Sequence, residues 1–233
     1  MPRHVGIIMD GNGRWASQQH HPRVYGHQNA TQAVRDAVEG AAELGIEVLT
    51  LFAFSTENWK RPAPEVEALM RLFEEFLGRE LEGLQKNQIR LVTIGKKDRL
   101  PGFVLDPLEK AIAATKDNRR MTLCLAVDYG SRDEIARAAR QIALDCAAGK
   151  LEPDRITEEL IPAYLDTASL PELDLVIRTS GEQRLSNFLL WQAAYAEFYF
   201  TELLWPDFNK AELERALVQY SKRNRRVGAV HGS

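Results

Sequence analysis

The sequence is poor in cysteine, which limits the chemistry open to it. Its two cysteines, Cys124 and Cys146, lie apart from one another among apolar residues. This spacing fits neither a disulfide framework nor a zinc site, so we predict two buried free thiols in a reducing compartment. Residues 1–20 also lack the long apolar stretch of a signal peptide, so we expect a cytoplasmic location.

Strong excess charge and long apolar runs are missing as well. The formal net charge is −3, which gives neither nucleic acid nor an anionic membrane a long-range electrostatic attraction. The most apolar stretch, residues 188–205, is interrupted by Gln192, Glu197 and Glu202, so it cannot span a bilayer as a helix. We therefore expect no nucleic-acid partner and at most peripheral membrane contact.

The order of apolar segments indicates the fold class. Short apolar runs alternate with longer segments of helical period, which predicts a single α/β domain over residues 1–233, with a twisted, mostly parallel sheet surrounded by helices. The predicted strands are His4–Met9, Ile46–Phe54, Ile89–Ile94, Met121–Val127 and Leu173–Ile177. Predicted helices start near Ala30, at Pro62 and, with capping-box spacing, at Ser131 and Asn209.

The end of the first strand carries the segment Asp10-Gly-Asn-Gly-Arg-Trp15. Ligands of open parallel sheets collect at the carboxyl ends of strands. Glycine lets backbone amides approach phosphate oxygens, Arg14 can bind them, and Asp10 can hold Mg²⁺. Two alternatives are a plain tight turn and a dinucleotide site. The dinucleotide site lacks its acidic residue, because Glu57 is the first acid after the second strand and lies too far along the chain.

Further cations surround the ends of other predicted strands. Arg178 and Arg184 follow the last strand in a segment rich in hydroxyls, which suits a second phosphate group. Arg23 and His27 stand just before the helix predicted from Ala30, where they can close over the same anion as Arg14. We therefore predict two neighbouring phosphate sites at one edge of the sheet.

The helix predicted from Glu65 to Lys86 has an apolar stripe wider than one sheet contact requires. Most of this stripe is expected to be core. The apolar residues beyond those needed for the core favour a second interpretation, in which they form the wall of an apolar tunnel for a growing hydrocarbon. The candidate tunnel positions are Leu69, Met70, Phe73 and Phe76.

Several blocks in order resemble the signature blocks of cis-prenyltransferases, particularly bacterial undecaprenyl diphosphate synthases. The blocks are residues 4–15, 54–62, 128–132, 178–192, 205–208 and 223–228. The resemblance implies a Mg²⁺-dependent enzyme that elongates an allylic diphosphate, such as farnesyl diphosphate, with isopentenyl diphosphate. Its product would be a long-chain polyprenyl diphosphate, undecaprenyl diphosphate for a cell-wall lipid carrier.

The same resemblance assigns roles by position. It implies that Asp10 and Glu197 bind the metal, that Asp10 assists catalysis, and that Asn58 takes part in proton removal. The residues implied for the allylic diphosphate are Gly11, Asn12, Gly13, Arg14, Trp15, Arg23 and His27. Those of the mobile catalytic loop are Ser55, Thr56, Glu57, Trp59 and Arg61. Those for isopentenyl diphosphate are Arg178, Arg184, Leu185 and Ser186.

The resemblance also implies a homodimer, with residues 186–208 and the C-terminal tail at the interface. The tail departs from the family's usual pattern at residues 227–229. Two alternatives stay open, a member that makes shorter products and a non-catalytic accessory subunit. An accessory subunit should have lost Asp10 or the glycine turn after it. We expect Asp10→Ala to fold normally and lose most of its activity.

Overall fold

The computed structural model of the protein describes residues 1–223. Its strands are β1 His4–Ile8, β2 Val48–Ser55, β3 Ile89–Ile94, β4 Met121–Tyr129, β5 Leu175–Arg178 and β6 Glu197–Phe200. They form one sheet of six strands in the order β3-β4-β2-β1-β5-β6. Every neighbouring pair is parallel. The predicted fold class is therefore confirmed, and β6 is a strand that the sequence analysis missed.

Helices connect and cover these strands. They are α1 Asn12–Gln18, α2 Arg23–Glu43, α3 Ala63–Lys86, α4 Gly102–Thr115, α5 Ser131–Ala147 and α6 Lys210–Ser221. One apolar core joins the sheet to α2, α3, α4 and α6. A second, smaller core includes Val48, Cys124, Val176 and Phe188. The sheet is thus buried on both faces, as its continuous apolar strands require.

Two helices near the chain start differ from the prediction. The glycine turn after β1 begins the short helix α1, with Gly11 before it at φ 109 in the left-handed region. Helix α2 begins at Arg23 rather than near Ala30. Pro22 directly precedes it, and a proline at a helix start is the sequence signal that the prediction overlooked. Arg23 and His27 are therefore held on a helix instead of a loop.

The two predicted capping boxes have different outcomes. At α6 the Asn209 side chain accepts a hydrogen bond from the Glu212 amide at 3.2 Å, as predicted. Helix α5 begins at Ser131, as predicted, but its capping box is absent, because Gly130 precedes the helix without a side-chain cap. The Ser131 hydroxyl oxygen instead accepts a hydrogen bond from the Leu190 amide at 2.9 Å. Ser131 therefore ties α5 to the segment after β5.

Other sequence predictions can be checked directly. Cys124 and Cys146 are both free, but only Cys124 is fully buried. No helix within residues 1–223 is long and apolar enough to cross a membrane. The predicted contacts of the C-terminal tail, including residues 227–229, lie outside the described residues.

The order in which strands are added to the sheet reverses between β1 and β5. From β1 the chain proceeds to β2 on one side, whereas β5 and β6 lie on the other. Such a switch point leaves a crevice that commonly binds ligands. At the same edge, the register of β2 against β4 shifts around Phe54, which marks a bulge. A bulge bends the strand and re-aims the residues that follow it, here those after Ser55.

Candidate active site

Asp10 and Arg178 meet in the crevice between β1 and β5. Nη2 of Arg178 donates to Oδ2 of Asp10 at 2.8 Å, and only 4% of the Arg178 side chain is exposed. The Gly11 amide donates to Oδ1 of Asp10 at 2.7 Å. Burial would raise the pKa of Asp10, but the bond and charge of Arg178 outweigh it and lower the pKa below its ordinary value. Asp10 is therefore an anion at neutral pH.

Arg178 also binds the segment that follows its own strand. Its Nη1 donates to the Ser186 hydroxyl oxygen at 2.7 Å and to the Arg184 carbonyl oxygen. Its buried Nε has no partner among the described residues. A buried donor without an acceptor is costly, so this nitrogen favours an acceptor brought by a ligand. A phosphate oxygen has the required chemistry.

A short 3-10 helix, Thr56–Lys60, forms the loop after β2. Oδ1 of Asn58 accepts a hydrogen bond from the Ser55 amide at 3.0 Å, and the Ser55 side chain accepts one from the Asn58 backbone. The Ser55 amide fixes which end of the Asn58 side chain is the oxygen. With the oxygen turned toward the Ser55 amide, Nδ2 of Asn58 is the donor that the side chain can offer a ligand. Asn58 can therefore donate a hydrogen bond to a ligand, and its predicted part in proton removal stays a prediction.

Trp59 anchors this loop instead of lining the site. Its indole nitrogen donates to Oδ1 of Asp128 at 2.8 Å, and its ring packs edge-on against Phe54 with centroids 5.0 Å apart. Asp128 is buried at 1% exposure and also accepts hydrogen bonds from Arg99. Trp59 thus has a structural role in this loop, and the substrate contact predicted for it stays a prediction. Asp128, near the end of β4, therefore holds the loop in place through Trp59.

Helices α1 and α2 form the other wall. Nδ2 of Asn12 lies 3.0 Å from Nδ1 of His27. Burial, reinforced by the positive charge of Arg61, lowers the pKa of His27 to about 4. His27 is therefore neutral at physiological pH. A Cβ at Gly13 would lie 3.2 Å from Nε of Arg23, so the absence of a side chain lets this guanidinium cover the α1 backbone.

Acidic residues link the predicted phosphate-binding arginines. Glu182 accepts hydrogen bonds from Arg14, at 3.1 Å, and from Arg184. Glu65 accepts one from Arg61 at 3.2 Å and lies 3.9 Å from Nε of Arg23. The two arginine groups that the sequence separates are therefore close together at one edge of the sheet.

Two cavities meet at this edge. The polar one has a volume of about 520 Å³ and is lined by Asp10, Ser55, Glu57, Arg178, Ser186 and further residues. The apolar one, about 190 Å³, lies between α2 and α3 over the sheet. Both are lined by Met9, Phe52, Asn58 and Arg61. The pair of cavities therefore suits an amphiphile with a charged head and a hydrocarbon tail.

The apolar stripe of α3 divides between this cavity and the core. Leu69, Phe73 and Phe76 line the apolar cavity, as the tunnel reading predicts. Met70 does not line it. Its side chain is 2% exposed and borders a different cavity, beside Trp59 and Phe103. Of the four candidate positions Met70 is therefore the one that does not face this cavity, because the stripe wraps too far around the helix for all of it to face one space.

Several other predicted site residues line neither cavity: Gly11, Gly13, Arg14, Trp15, Arg23, Thr56, Arg184, Leu185 and Glu197. The Trp15 indole nitrogen donates to Oδ1 of Asp207 at 2.9 Å. Leu185 packs against the smaller core. Glu197 is the first residue of β6, and its carboxylate accepts a hydrogen bond from Arg223 at 2.8 Å.

The strand register explains the position of Glu197. Glu197 lies opposite Leu175, three residues before Arg178 at the carboxyl edge. At ~3.3 Å per residue it is ~10 Å short of that edge. Within this chain Glu197 and Asp10 are therefore too far apart to share one metal ion. Its metal role stays a prediction from the resemblance.

Sequence reasoning missed several residues that shape the site. Asn187 lines the polar cavity and donates to Oε1 of Glu57 at 3.0 Å. Its place directly after Ser186 was an available signal. No pattern in the sequence indicated that Glu65 and Glu182 would each bridge arginines from distant segments.

Comparison with known proteins identifies the family. The family model described as "Putative undecaprenyl diphosphate synthase" matches residues 8–228. The isoprenyl transferase of Agrobacterium fabrum is 51% identical over 230 residues, covering 99% of this chain and 93% of that protein. The isoprenyl transferase of Chlorobaculum tepidum is 50% identical over 228 residues, covering 98% and 86%.

Solved structures agree with this assignment. A lavandulyl diphosphate synthase from Lavandula x intermedia, crystallised with dimethylallyl diphosphate, is 41% identical with a TM-score of 0.93, covering 96% of this chain and 97% of that one. A probable undecaprenyl diphosphate synthase from Campylobacter jejuni is 36% identical with a TM-score of 0.81, covering 98% and 99%. Because sequence and structural similarity extend over nearly the whole chain, the protein belongs to the undecaprenyl diphosphate synthase family and is a prenyltransferase.

Proposed function

We propose that this prenyltransferase uses Mg²⁺ to condense isopentenyl diphosphate with an allylic diphosphate, farnesyl diphosphate being the expected starter, and that it forms cis double bonds. The main support is the meeting of a polar cavity and an apolar cavity at the carboxyl edge. A prenyl diphosphate has a charged head and a hydrocarbon tail. The two cavities match these two parts, and the residues shared between them mark where the reacting carbon would lie.

The arginines divide into two neighbouring groups. Arg14 and Arg23 belong to helices α1 and α2, whose Asn12 and His27 line the apolar cavity, and suit the diphosphate of the allylic substrate. Arg178 and Arg184 belong to β5 and the segment after it, and suit isopentenyl diphosphate. The unpartnered Nε of Arg178 supports this assignment, because a diphosphate oxygen would satisfy it.

The residues around Asp10 fit a Mg²⁺ ion that is bound together with substrate. Residues 1–223 contain no group of three histidine, cysteine, aspartate or glutamate residues that could hold a metal ion. Mg²⁺ commonly uses only one or two carboxylates, together with water and substrate phosphates. Asp10 is half-buried, anionic and beside the polar cavity. When bound, Mg²⁺ would neutralise diphosphate charge and favour the departure of that group.

The chain's own residues would act mainly by positioning and electrostatics. In the condensation, the allylic carbon loses its diphosphate, the double bond of isopentenyl diphosphate forms the new carbon–carbon bond, and a proton then leaves. Arg14, Arg23 and Arg61 would stabilise the departing anion. Asn58 would donate through Nδ2 and orient a diphosphate, because the bond from the Ser55 amide to its oxygen fixes the orientation of the side chain. The apolar cavity would exclude water from the hydrocarbon.

Product length separates two candidate functions. Repeated addition would give undecaprenyl diphosphate, which we propose as the product and as the precursor of a cell-wall lipid carrier. The second candidate is a synthase of short products, supported by the TM-score of 0.93 to a lavandulyl diphosphate synthase. Phe73 and Phe76 line the apolar cavity and limit its size.

One incubation tests the proposal. Purified protein is mixed with farnesyl diphosphate, radiolabelled isopentenyl diphosphate and Mg²⁺, and the products are separated by chain length. We expect a ladder that ends in long products, with incorporation abolished by a chelator and restored by added Mg²⁺. One added unit alone would support the short-product candidate. Incorporation that continues in the chelator would refute the proposed role of Mg²⁺.

We also propose that the protein is a homodimer that uses residues 186–208. Strand β6 is at the edge of the sheet, and the nearby side chains of Trp191 and Tyr195 are 37% and 70% exposed. An exposed sheet edge beside aromatic side chains favours association. Sedimentation velocity should give the mass of a dimer, and Tyr195→Glu should weaken it. A monomer at micromolar concentration would contradict the proposal.

A further inference from the structure

Asn187 connects three segments that are distant in the sequence. Its carbonyl oxygen accepts a hydrogen bond from the Ser131 amide at 2.8 Å. Its side-chain Oδ1 accepts one from the Arg132 amide at 2.8 Å, and its Nδ2 donates to Oε1 of Glu57 at 3.0 Å. Asn187, in the segment after β5, thus links the start of α5 to the loop after β2.

The backbone at this point is adapted to these contacts. Ser186 and Asn187 have φ values of 49° and 66°, in the left-handed region. Asparagine tolerates that region better than most residues with a side chain. The conformation lets Ser186 reach Arg178 on one side while Asn187 reaches Glu57 on the other. The two consecutive residues therefore hold Arg178 and Glu57, which both line the polar cavity.

Gly130 allows the segments around the end of β4 to pack closely together. A Cβ at Gly130 would lie 2.5 Å from Oγ1 of Thr56 and 2.7 Å from Nδ2 of Asn187. Both distances are shorter than real Cβ contacts, so a side chain at Gly130 would displace Thr56 or Asn187. The absence of one at Gly130 therefore allows the β2 loop and the β5 segment to come together above the end of β4. Two residues earlier, Asp128 holds the same loop through Trp59 at 2.8 Å.

The contact between Asn187 and Glu57 lies beside the proposed reaction centre. Both residues line the polar cavity, together with Ser186, Asn58 and Arg178. Burial would raise the pKa of Glu57, but hydrogen bonds, with that from Asn187 foremost, lower it. Glu57 is thus an anionic acceptor for the Asn187 amide. A hydrogen bond to an ionised group is stronger than one between neutral groups.

We propose that Asn187 is a positioning residue, which fixes the loop at Glu57 and Asn58 against the isopentenyl diphosphate site at Arg178 and Ser186. The inference rests on the proposed function for the identity of the substrate. In this role, Asn187 does not touch the reacting atoms. It sets the distance between Arg178 on β5 and Asn58 on the loop, so that one diphosphate can accept hydrogen bonds from both.

Reversing the direction of the hydrogen bond tests this role. Asn187→Asp keeps the acceptor for the Arg132 amide and tolerates the left-handed backbone, but it places a carboxylate against Glu57. We expect the Michaelis constant for isopentenyl diphosphate to rise about tenfold and that for the allylic substrate to change less than about twofold. Adding Glu57→Gln lets the new amide donate to the new carboxylate. The Michaelis constant of the double variant for isopentenyl diphosphate should lie at least about threefold below that of Asn187→Asp.

Two controls separate the positioning role from a loss of folding stability. Asn209→Asp makes the same substitution at the start of α6, where aspartate also caps the helix, and it should leave kinetics and melting temperature unchanged. Melting temperatures of all variants show whether a kinetic defect follows lost stability. A defect in Asn187→Asp that the second substitution fails to rescue would overturn the proposal. Equal rises in both Michaelis constants, or none, would also overturn it.

A binding experiment makes the outcome independent of turnover. Calorimetric titration with inorganic diphosphate should show weaker binding to Asn187→Asp, by about tenfold, and recovery in the double variant. If wild type transfers no prenyl group, the proposed function fails, while the diphosphate titration still decides whether Asn187 positions an anion site. Equal diphosphate affinity in wild type and Asn187→Asp would refute the positioning role even in an active enzyme.

Discussion

Removing the carboxylate of Asp10 should affect both catalysis and stability. Asp10 is the proposed Mg²⁺ ligand, and it is also the acidic partner of Arg178, whose side chain is 4% exposed. Breaking a fully buried ion pair costs ~3–5 kcal/mol, because the remaining charge is left without a partner. The Asp10 side chain is 35% exposed, so water can replace part of the interaction. We therefore expect Asp10→Ala to lose about 2 kcal/mol in the free energy of unfolding.

This expectation differs from the one drawn from the sequence, which was normal folding. For a chain of this length, about 2 kcal/mol corresponds to a fall of about 4–8 °C in melting temperature. Glu43→Ala is a suitable control, because it removes an exposed carboxylate paired with Lys210 and should leave the melting temperature unchanged. Equal melting temperatures for Asp10→Ala and wild type would contradict the importance of the ion pair.

Activity must then be measured at a temperature where circular dichroism shows Asp10→Ala to be folded. We expect turnover to fall by about 100-fold or more, because the variant loses a metal ligand and the orientation of Arg178. Added Mg²⁺ should not restore it. Turnover within about twofold of wild type would refute the assignment of Asp10 to the reaction centre.

The remaining predictions concern the tunnel, the two diphosphate sites and His27. Leu69→Trp should shorten the products while the first condensation continues, whereas Met70→Trp should only lower stability; identical product lengths in both would refute the tunnel wall. Arg184→Ala should raise the Michaelis constant for isopentenyl diphosphate about tenfold and Arg23→Ala that for the allylic substrate, and an equal effect on both would refute the division. The folded pKa of His27, about 4, lies below its ordinary 6.5, so its contribution to stability is present above pH 6.5 and is lost as the pH falls toward 4. Urea unfolding of His27→Gln should therefore depend less on pH in that range, and an unchanged dependence would contradict a buried neutral His27.

The carboxyl edge of the site was predictable from the sequence for a physical reason. Parallel strands end at the same edge, so polar residues at the ends of several apolar runs must lie near one another. The structure confirms this for Asp10, Ser55 and Arg178, which line one cavity. The assignment required no knowledge of the loops between the strands.

Features that depend on three-dimensional packing were not predictable. Glu197 stands in an apolar run that gave no strand register, and its position short of the edge follows only from its pairing opposite Leu175. Met70 and Leu69 are neighbours in one apolar stripe, and only the packing of α3 decides which of them faces the cavity. Asn187 lacked a distinctive pattern, because its role depends on Gly130 and Glu57 from other parts of the chain.

The most direct test of the proposed function is the structure of the product made from ¹³C-labelled isopentenyl diphosphate and farnesyl diphosphate. Mass spectrometry counts the added units, and NMR gives the geometry of each new double bond. We predict several labelled units joined through cis double bonds. A folded protein that adds no unit in the presence of Mg²⁺, or that forms trans bonds, would contradict the proposed cis elongation.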